Sequence, residues 1–316
     1  MQRTEITGVI GRVGQLVTDR YVFADIGVRL AKLLAERLAG GGYDRVSAPK
    51  ELAALVTEDL QSVNGDRHLR LKHHEIEIAE EANDPTEAEL APLVETTMGG
   101  IVQVRHLTGN VGYLELKPYL FPPVLAGAAM VAAMQLIAPT DALILDLRAT
   151  LGGDPDMTTL VCGYLFDEPV HLNSLYQRDG ERTRQLWSPA YVPGPRFGGR
   201  KPVYVLTSSA TFSGGEEFAY DLQQQGRASI VGERTRGGAH PRIGFRVHPH
   251  LELTVPVARP INPVSGTNWE GHGATPDVEV PAGEAFEVAY RAALEGSVRR
   301  LHPDSAAAVE AGRALG

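Results

Sequence analysis

Apolar positions recur every three or four residues through the first sixty positions. They then give way to short continuous apolar runs separated by glycine-rich turns. The first regime predicts helices and the second predicts buried strands. Val9 to Val17 carries one such stripe, and Asp25 to Leu38 carries another through Ile26, Leu30, Leu33, Leu34 and Leu38. Gly40-Gly41-Gly42 stops the second, and Ser47-Ala48-Pro49 opens a third, whose inner face is Leu52, Leu55, Val56 and Leu60. Residues 1–66 therefore predict a small helical bundle. Asn64-Gly65-Asp66 is a turn signal, and His68-Leu69-Arg70-Leu71 begins an alternating strand. With it, an acidic connection fills residues 67–99. Glu75 to Glu95 is poor in apolar residues, has Asn83-Asp84-Pro85 at its middle, and reads as a solvated surface or lid.

From Gly100 the pattern becomes α/β. Val102 to Leu107 and Val111 to Leu116 flank Gly109-Asn110, a hairpin signal, and Pro122 to Ile137 is an Ala/Met/Leu-rich helix. Ala142 to Leu147 is a continuous apolar strand, followed by a loop with Gly152-Gly153 and a helix from about Pro155 to Phe166. Leu172 to Arg200 is polar and turn-rich, suiting strands and a surface loop. Pro202 to Thr207 is another buried strand, followed by a turn of small residues into Ser213-Gly214-Gly215, a helix over Glu216 to Gln225, and a strand from Ala228 to Gly232. Strand, Gly-Gly loop and helix thus occur twice. That repetition predicts parallel strands with both loops at one sheet edge. Leu251 to Val257 is a strand, Ile261 to Pro276 a turn-rich loop, and Glu284 to Leu301 a closing helix. The α/β core spans 100–301, and 302–316 reads as a loosely held C-terminal tail.

Composition narrows the function. The 316 residues are 43% hydrophobic and 22% charged, the balance of a soluble globular protein. A formal net charge of -9 argues against nucleic acid and anionic membrane as partners. The single Cys162 excludes a disulfide framework and reads as a buried structural thiol. Neither a signal-peptide apolar region nor a run of membrane-spanning length is present, so the expected location is cytoplasmic. No cofactor is expected. His73 and His74 with Glu75 lack a recognised metal-ligand spacing, and no metal site is expected either.

The candidate chemistry lies at Ser213, where a turn becomes a helix. A hydroxyl there faces the free N–H groups of Gly214 and Gly215 and the positive end of a helix dipole, the setting an oxyanion requires. An ordinary N-cap, with Glu216 completing a capping box, accounts for the same residues. Gly152-Gly153 is open in the same way. Its N–H groups could donate to the oxyanion, or the pair could form an ordinary tight turn.

Several motifs together resemble the S41 serine peptidases. Asp146-Leu147-Arg148 with Gly152-Gly153 resembles that family's Asp-Leu-Arg-x-Asn-x-Gly-Gly strand and loop, with Thr150 where asparagine is usual. Ser213-Gly214-Gly215-Glu216, with Gly226-Arg227 and Val231-Gly232-Glu233-Arg234-Thr235, resembles the nucleophile helix and the strand after it. Gly271-His272-Gly273-Ala274-Thr275-Pro276-Asp277 resembles the closing Gly-x-Gly-x-x-Pro-Asp. The N-terminal helices, Val63 to His68 and Gly194-Pro195-Arg196 resemble the branch of interphotoreceptor retinoid-binding protein and its bacterial relatives. The resemblance implies an S41 core of ββα units like those of the ClpP and crotonase folds, behind a small helical bundle.

It also implies a choice of base. The C-terminal-processing branch places a lysine 25 residues after the serine, which here is Gly238. The tricorn-like branch uses His, Ser and Glu. Its base matches His68 and its carboxylate Glu270, although Arg67 replaces the serine usual before the histidine. The implied catalytic set is Ser213, His68 and Glu270, with Gly214, Gly152 and Gly153 as the oxyanion hole. His240 reads as a loop histidine. The expected function is hydrolysis of peptides or unfolded protein by a Ser-His-Glu acyl-enzyme mechanism, with a homo-oligomer possible. The alternative is a non-catalytic binding module for an apolar ligand such as a retinoid or fatty acid.

Overall fold

A computed structural model describes residues 1–78 and 85–316. Part of the acidic connection, 79–84, therefore lies outside the described residues. The chain forms two units, each treated on its own terms. The first comprises Met1–Thr86, Leu175–Arg184 and Gly238–Pro260, and the second the remaining stretches, so two segments inside 100–301 belong with the N-terminal helices.

In the first unit the predicted helices are present as α1 (Arg3–Arg20), α2 (Ala24–Ala39) and α3 (Pro49–Gln61). The buried stripe of α1 is Ile6, Val9, Ile10, Val13, Leu16 and Val17, the spacing that turns one helix face inward. Gly27 lets α2 approach it closely, since a Cβ there would lie 2.3 Å from the Val17 carbonyl oxygen. Pro49 begins α3, and the Glu51 carboxylate accepts the Ser47 N–H at 2.8 Å and the Ala48 N–H at 3.3 Å. β1 (Arg70–His73), β9 (Arg242–His248) and β10 (Leu251–Pro256) form an antiparallel sheet in the order β1-β10-β9. Leu71, Leu251, Leu253 and Val255 join the helix stripes in one buried cluster.

The second unit is built on a mixed sheet. Its strands are β2 (Ile101–Leu107), β3 (Val111–Leu116), β4 (Ala142–Asp146), β7 (Val203–Thr207), β8 (Ser229–Gly232) and β12 (Val278–Glu279). They lie in the order β12-β8-β7-β4-β3-β2, and only the β2–β3 pairing is antiparallel. A further sheet has the order β11-β5-β6, formed by β5 (His171–Gln177), β6 (Arg182–Trp187) and β11 (Ala258–Ile261).

Every residue of β4 is buried, as its unbroken apolar run requires. β4 and β7 are parallel neighbours with Asp146 opposite Leu206, so the Gly152-Gly153 loop and the Ser213 turn leave the same sheet edge.

Helices α4 (Glu87–Thr96), α5 (Pro123–Ile137), α6 (Pro155–Leu165), α7 (Gly214–Gln224) and α8 (Ala285–Arg300) belong to this unit. α8 packs Ala285, Ala289 and Ala293 against a cluster that includes Ile144, Leu206 and Val231. The expected loose tail is instead a helix, α9 (Ala306–Leu315), anchored by buried Ala308 and Ala311. Among the described residues, no helix is long and apolar enough to cross a membrane.

Candidate active site

The turn between β7 and α7 is rich in hydroxyls because hydroxyls hold it. Thr211 Oγ1 accepts the Ser208 N–H at 3.0 Å and donates to the Leu147 carbonyl at 2.9 Å. Ser208 Oγ donates to the Arg148 carbonyl at 2.6 Å. The turn is thus fastened to the loop that follows β4. Arg148 is itself fixed, gripping the buried Asp146 through Nε at 3.0 Å and Nη2 at 2.5 Å and donating to the Ala282 carbonyl at 2.7 Å. The Tyr113 hydroxyl donates to the same carboxylate at 2.7 Å. Hydrogen bonding to Asp146 holds the Arg148 pKa above its ordinary value. The Asp-Leu-Arg motif is therefore the strut of this sheet edge.

Ser213 has φ 53° and ψ -118°. An ordinary N-cap residue is extended, with negative φ. Non-glycine residues at positive φ outside turns are uncommon, and they cluster at functional sites where surrounding contacts hold them. This backbone separates Ser213 from a plain helix cap.

The Gly152-Gly153 loop lies directly against it. A Cβ at Gly152 would stand 3.3 Å from Ser213 Cβ, 3.6 Å from Ser213 Oγ and 3.8 Å from the Gly214 nitrogen. One at Gly214 would stand 2.9 Å from the Gly153 nitrogen. Gly152 and Gly153 have φ of 142° and 141°, values that a side chain disfavours. Leu120 pins the loop, donating its N–H to the Gly152 carbonyl at 2.9 Å and accepting that of Asp154 at 2.7 Å. Those bonds use neither the Gly152 nor the Gly153 N–H. Thr150 ties the loop to both neighbours. Its hydroxyl donates to the Leu116 carbonyl at 2.6 Å and its carbonyl accepts the Phe212 N–H at 3.0 Å.

Glu216 joins three segments. Fully buried, it accepts the Ser213 N–H at 2.9 Å on one oxygen. The other oxygen accepts the Thr235 hydroxyl at 2.5 Å and the Gly237 N–H at 2.6 Å. The Gly237 carbonyl in turn accepts the Gly271 N–H at 3.1 Å, and Gly273 packs so closely on Thr235 that a Cβ would lie 2.2 Å from its carbonyl oxygen. Glu270 sits at the head of this turn, its N–H donating to Asn268 Oδ1 at 2.9 Å. The hub role of Glu216 and Thr235 is not evident in the sequence, where Glu216 reads only as a helix cap.

His68 belongs to the first unit. Asp66 Oδ1 accepts its backbone N–H at 3.0 Å, and its carbonyl accepts the Thr254 hydroxyl at 2.6 Å. Both backbone groups are thereby held by side chains. Burial pushes the His68 pKa down to about 4, with Asp66 opposing and His240, Arg242 and Arg70 adding to the fall. Asp66 is fully buried, and burial alone would raise its pKa. Hydrogen bonds from His240 Nδ1 at 2.7 Å and the Tyr21 hydroxyl at 2.8 Å overcome that, and the carboxyl is held below its ordinary range. His240, which reads as a loop histidine in the sequence, is thus a buried partner of Asp66.

Comparison with known proteins finds family matches in two consecutive stretches of the chain. Residues 110–280 match the model of peptidase family S41, and residues 2–104 match the N-terminal domain of Peptidase_S41 in eukaryotic IRBP. The carboxy-terminal-processing protease of Bartonella bacilliformis is 28% identical over 208 residues, covering 61% of this chain and 44% of that protein. This chain therefore spans less than half the length of that relative. Among solved structures, the photosystem II D1 C-terminal processing protease aligns with a TM-score of 0.54 at 15% identity, over 88% of this chain and 94% of its own. A putative peptidase from Parabacteroides merdae aligns with a TM-score of 0.59 at 15% identity, over 89% and 90%. The tricorn protease aligns at 0.58 and 14%, over 90% of this chain and 35% of its own.

Proposed function

The chain belongs to peptidase family S41, and from that membership we propose that it is a serine peptidase acting on peptides or unfolded protein. The observation that carries the proposal is Ser213, held at positive φ against the Gly152-Gly153 loop at the start of α7. In this reading Ser213 Oγ attacks the scissile carbonyl while His68 takes its proton. The oxyanion accepts hydrogen bonds from Gly214 and from Gly152 or Gly153. His68 then gives the proton to the departing amine, and a water, deprotonated in the same way, hydrolyses the acyl-enzyme. Glu270 is assigned to orient the imidazole and steady its charge. With its pKa pushed down by burial, His68 is neutral at pH 7, the form in which an imidazole can accept a proton, and the charge it gains in the reaction is what Glu270 is assigned to steady. Gly238, at the position of the processing branch's lysine, carries no group able to act as base.

The test is labelling by a fluorophosphonate probe. The native protein should label and Ser213→Ala should not. An unlabelled native protein that instead binds a retinoid or fatty acid tightly would favour the carrier reading.

A further inference from the structure

Several arginines of the second unit are spent on structure. Arg148 is consumed by Asp146 and the Ala282 carbonyl. Arg227 is buried against the Leu165 and Gly198 carbonyls, and Arg196 donates to those of Phe166 and Ala190. Arg234 reaches the His272 carbonyl at 3.4 Å. Arg236 differs. It is exposed, and its guanidinium lies over the ring of Phe212 at 4.6 Å from the centroid. Among the described residues, no carboxylate or carbonyl takes its side-chain N–H groups.

Its backbone is fixed from both sides. The Arg236 N–H donates to the Thr211 carbonyl at 3.1 Å, and the next residue, Gly237, is held by Glu216. The cation therefore stands on the residue that immediately precedes Ser213, on a segment bonded to the same carboxylate as Ser213. Stacking on an aromatic face orders a guanidinium while leaving its edge donors open. Those donors form a fork suited to two parallel hydrogen bonds with a carboxylate. In a chain of net charge -9, an ordered and unspent cation at this place selects for charge in the ligand.

We infer that Arg236 is a carboxylate-recognition residue of the substrate site, binding either the free C-terminus or an acidic side chain of a peptide beside Ser213. The placement beside the reacting bond rests on Ser213 being the nucleophile. Carboxylate binding itself does not require hydrolysis.

The experiment measures binding to the Ser213→Ala protein by anisotropy, using dye-labelled alanine-rich hexapeptides in three forms: free acid, C-terminal amide, and amide with one internal glutamate. Against the amide, a tighter free acid identifies the terminal carboxylate, and a tighter glutamate peptide identifies the side chain. Either preference should be roughly 10–100-fold, the contribution of a charge-assisted pair. It should collapse in Ser213→Ala/Arg236→Met, where the stem can still cover Phe212, and fall partially with Arg236→Lys. Equal affinity for all three peptides, no binding of any, or a preference that survives Arg236→Met overturns the assignment. Fluorophosphonate labelling of the native protein reports separately on Ser213, so failure of the peptidase reading and failure of this one are distinguishable.

Discussion

The carboxylate of Glu216 accepts the backbone N–H of Ser213 at 2.9 Å, and its second oxygen holds Gly237 and Thr235. Every one of these partners is a donor, so both oxygens must be acceptors. Glu216→Gln therefore is not conservative, because one side of the amide presents N–H to another donor. Either Glu216→Gln or Glu216→Ala should lower unfolding free energy by about 1–3 kcal/mol, the cost of leaving buried donors unsatisfied. Urea titration measures this. A Gln variant as stable as the native protein contradicts the hub.

Ser213 stores backbone strain at its positive φ of 53°. Removing the Cβ relieves it, while removing only the hydroxyl does not. Ser213→Gly should thus be more stable than Ser213→Ala by about 1 kcal/mol, despite the extra chain entropy of glycine. Both should lose fluorophosphonate labelling. Equal stability of the two variants means that φ of 53° costs little here.

The two loop glycines should separate chemistry from folding. An added methyl at Gly152 stands 3.6 Å from Ser213 Oγ and 3.8 Å from the Gly214 nitrogen, between the groups assigned above as nucleophile and oxyanion donor. Gly152→Ala should label roughly 100-fold more slowly or worse, the loss expected when an oxyanion donor is removed or blocked. At Gly153 the methyl meets the Leu120 carbonyl oxygen at 2.2 Å, so Gly153→Ala should chiefly lower the melting temperature. Circular dichroism melts beside labelling rates will show whether the two effects part in this way.

Local periodicity made much of this architecture readable. The α1 stripe, the all-apolar β4 and the repeated strand, Gly-Gly loop and helix all follow from residues close in sequence. Elements that depend on distant partners were hidden. β9 mixes Arg242, Gly244 and Arg246 with apolar residues and becomes a strand through its pairing with β10. α9 looks like an alanine-rich tail until Ala311 meets the hairpin glycine Gly109, where a Cβ would lie 3.3 Å from its own. The position of Ser213 was legible from its motif, whereas its positive φ was not. Glu216 and the opposing Gly152 become visible as its surroundings only once the chain is folded.

His68 supplies a pH test with a definite sign. Burial lowers its pKa from 6.5 to about 4 in the folded protein. Above pH 6.5 the imidazole is neutral in both folded and unfolded states, so it adds no pH dependence. As pH falls below 6.5 the unfolded chain takes up a proton that the native site resists, and stability is lost until the folded value near 4 is reached. The full loss is on the order of 3 kcal/mol. His68→Gln should remove that part of the slope between pH 6.5 and 4, measured by urea titrations at stepped pH. The acid limb of fluorophosphonate labelling should likewise fall near pH 4 to 5 rather than near 6.5, because the base stays neutral longer. A labelling midpoint at 6.5, with the stability slope unchanged in His68→Gln, would show that the fold does not depress the His68 pKa.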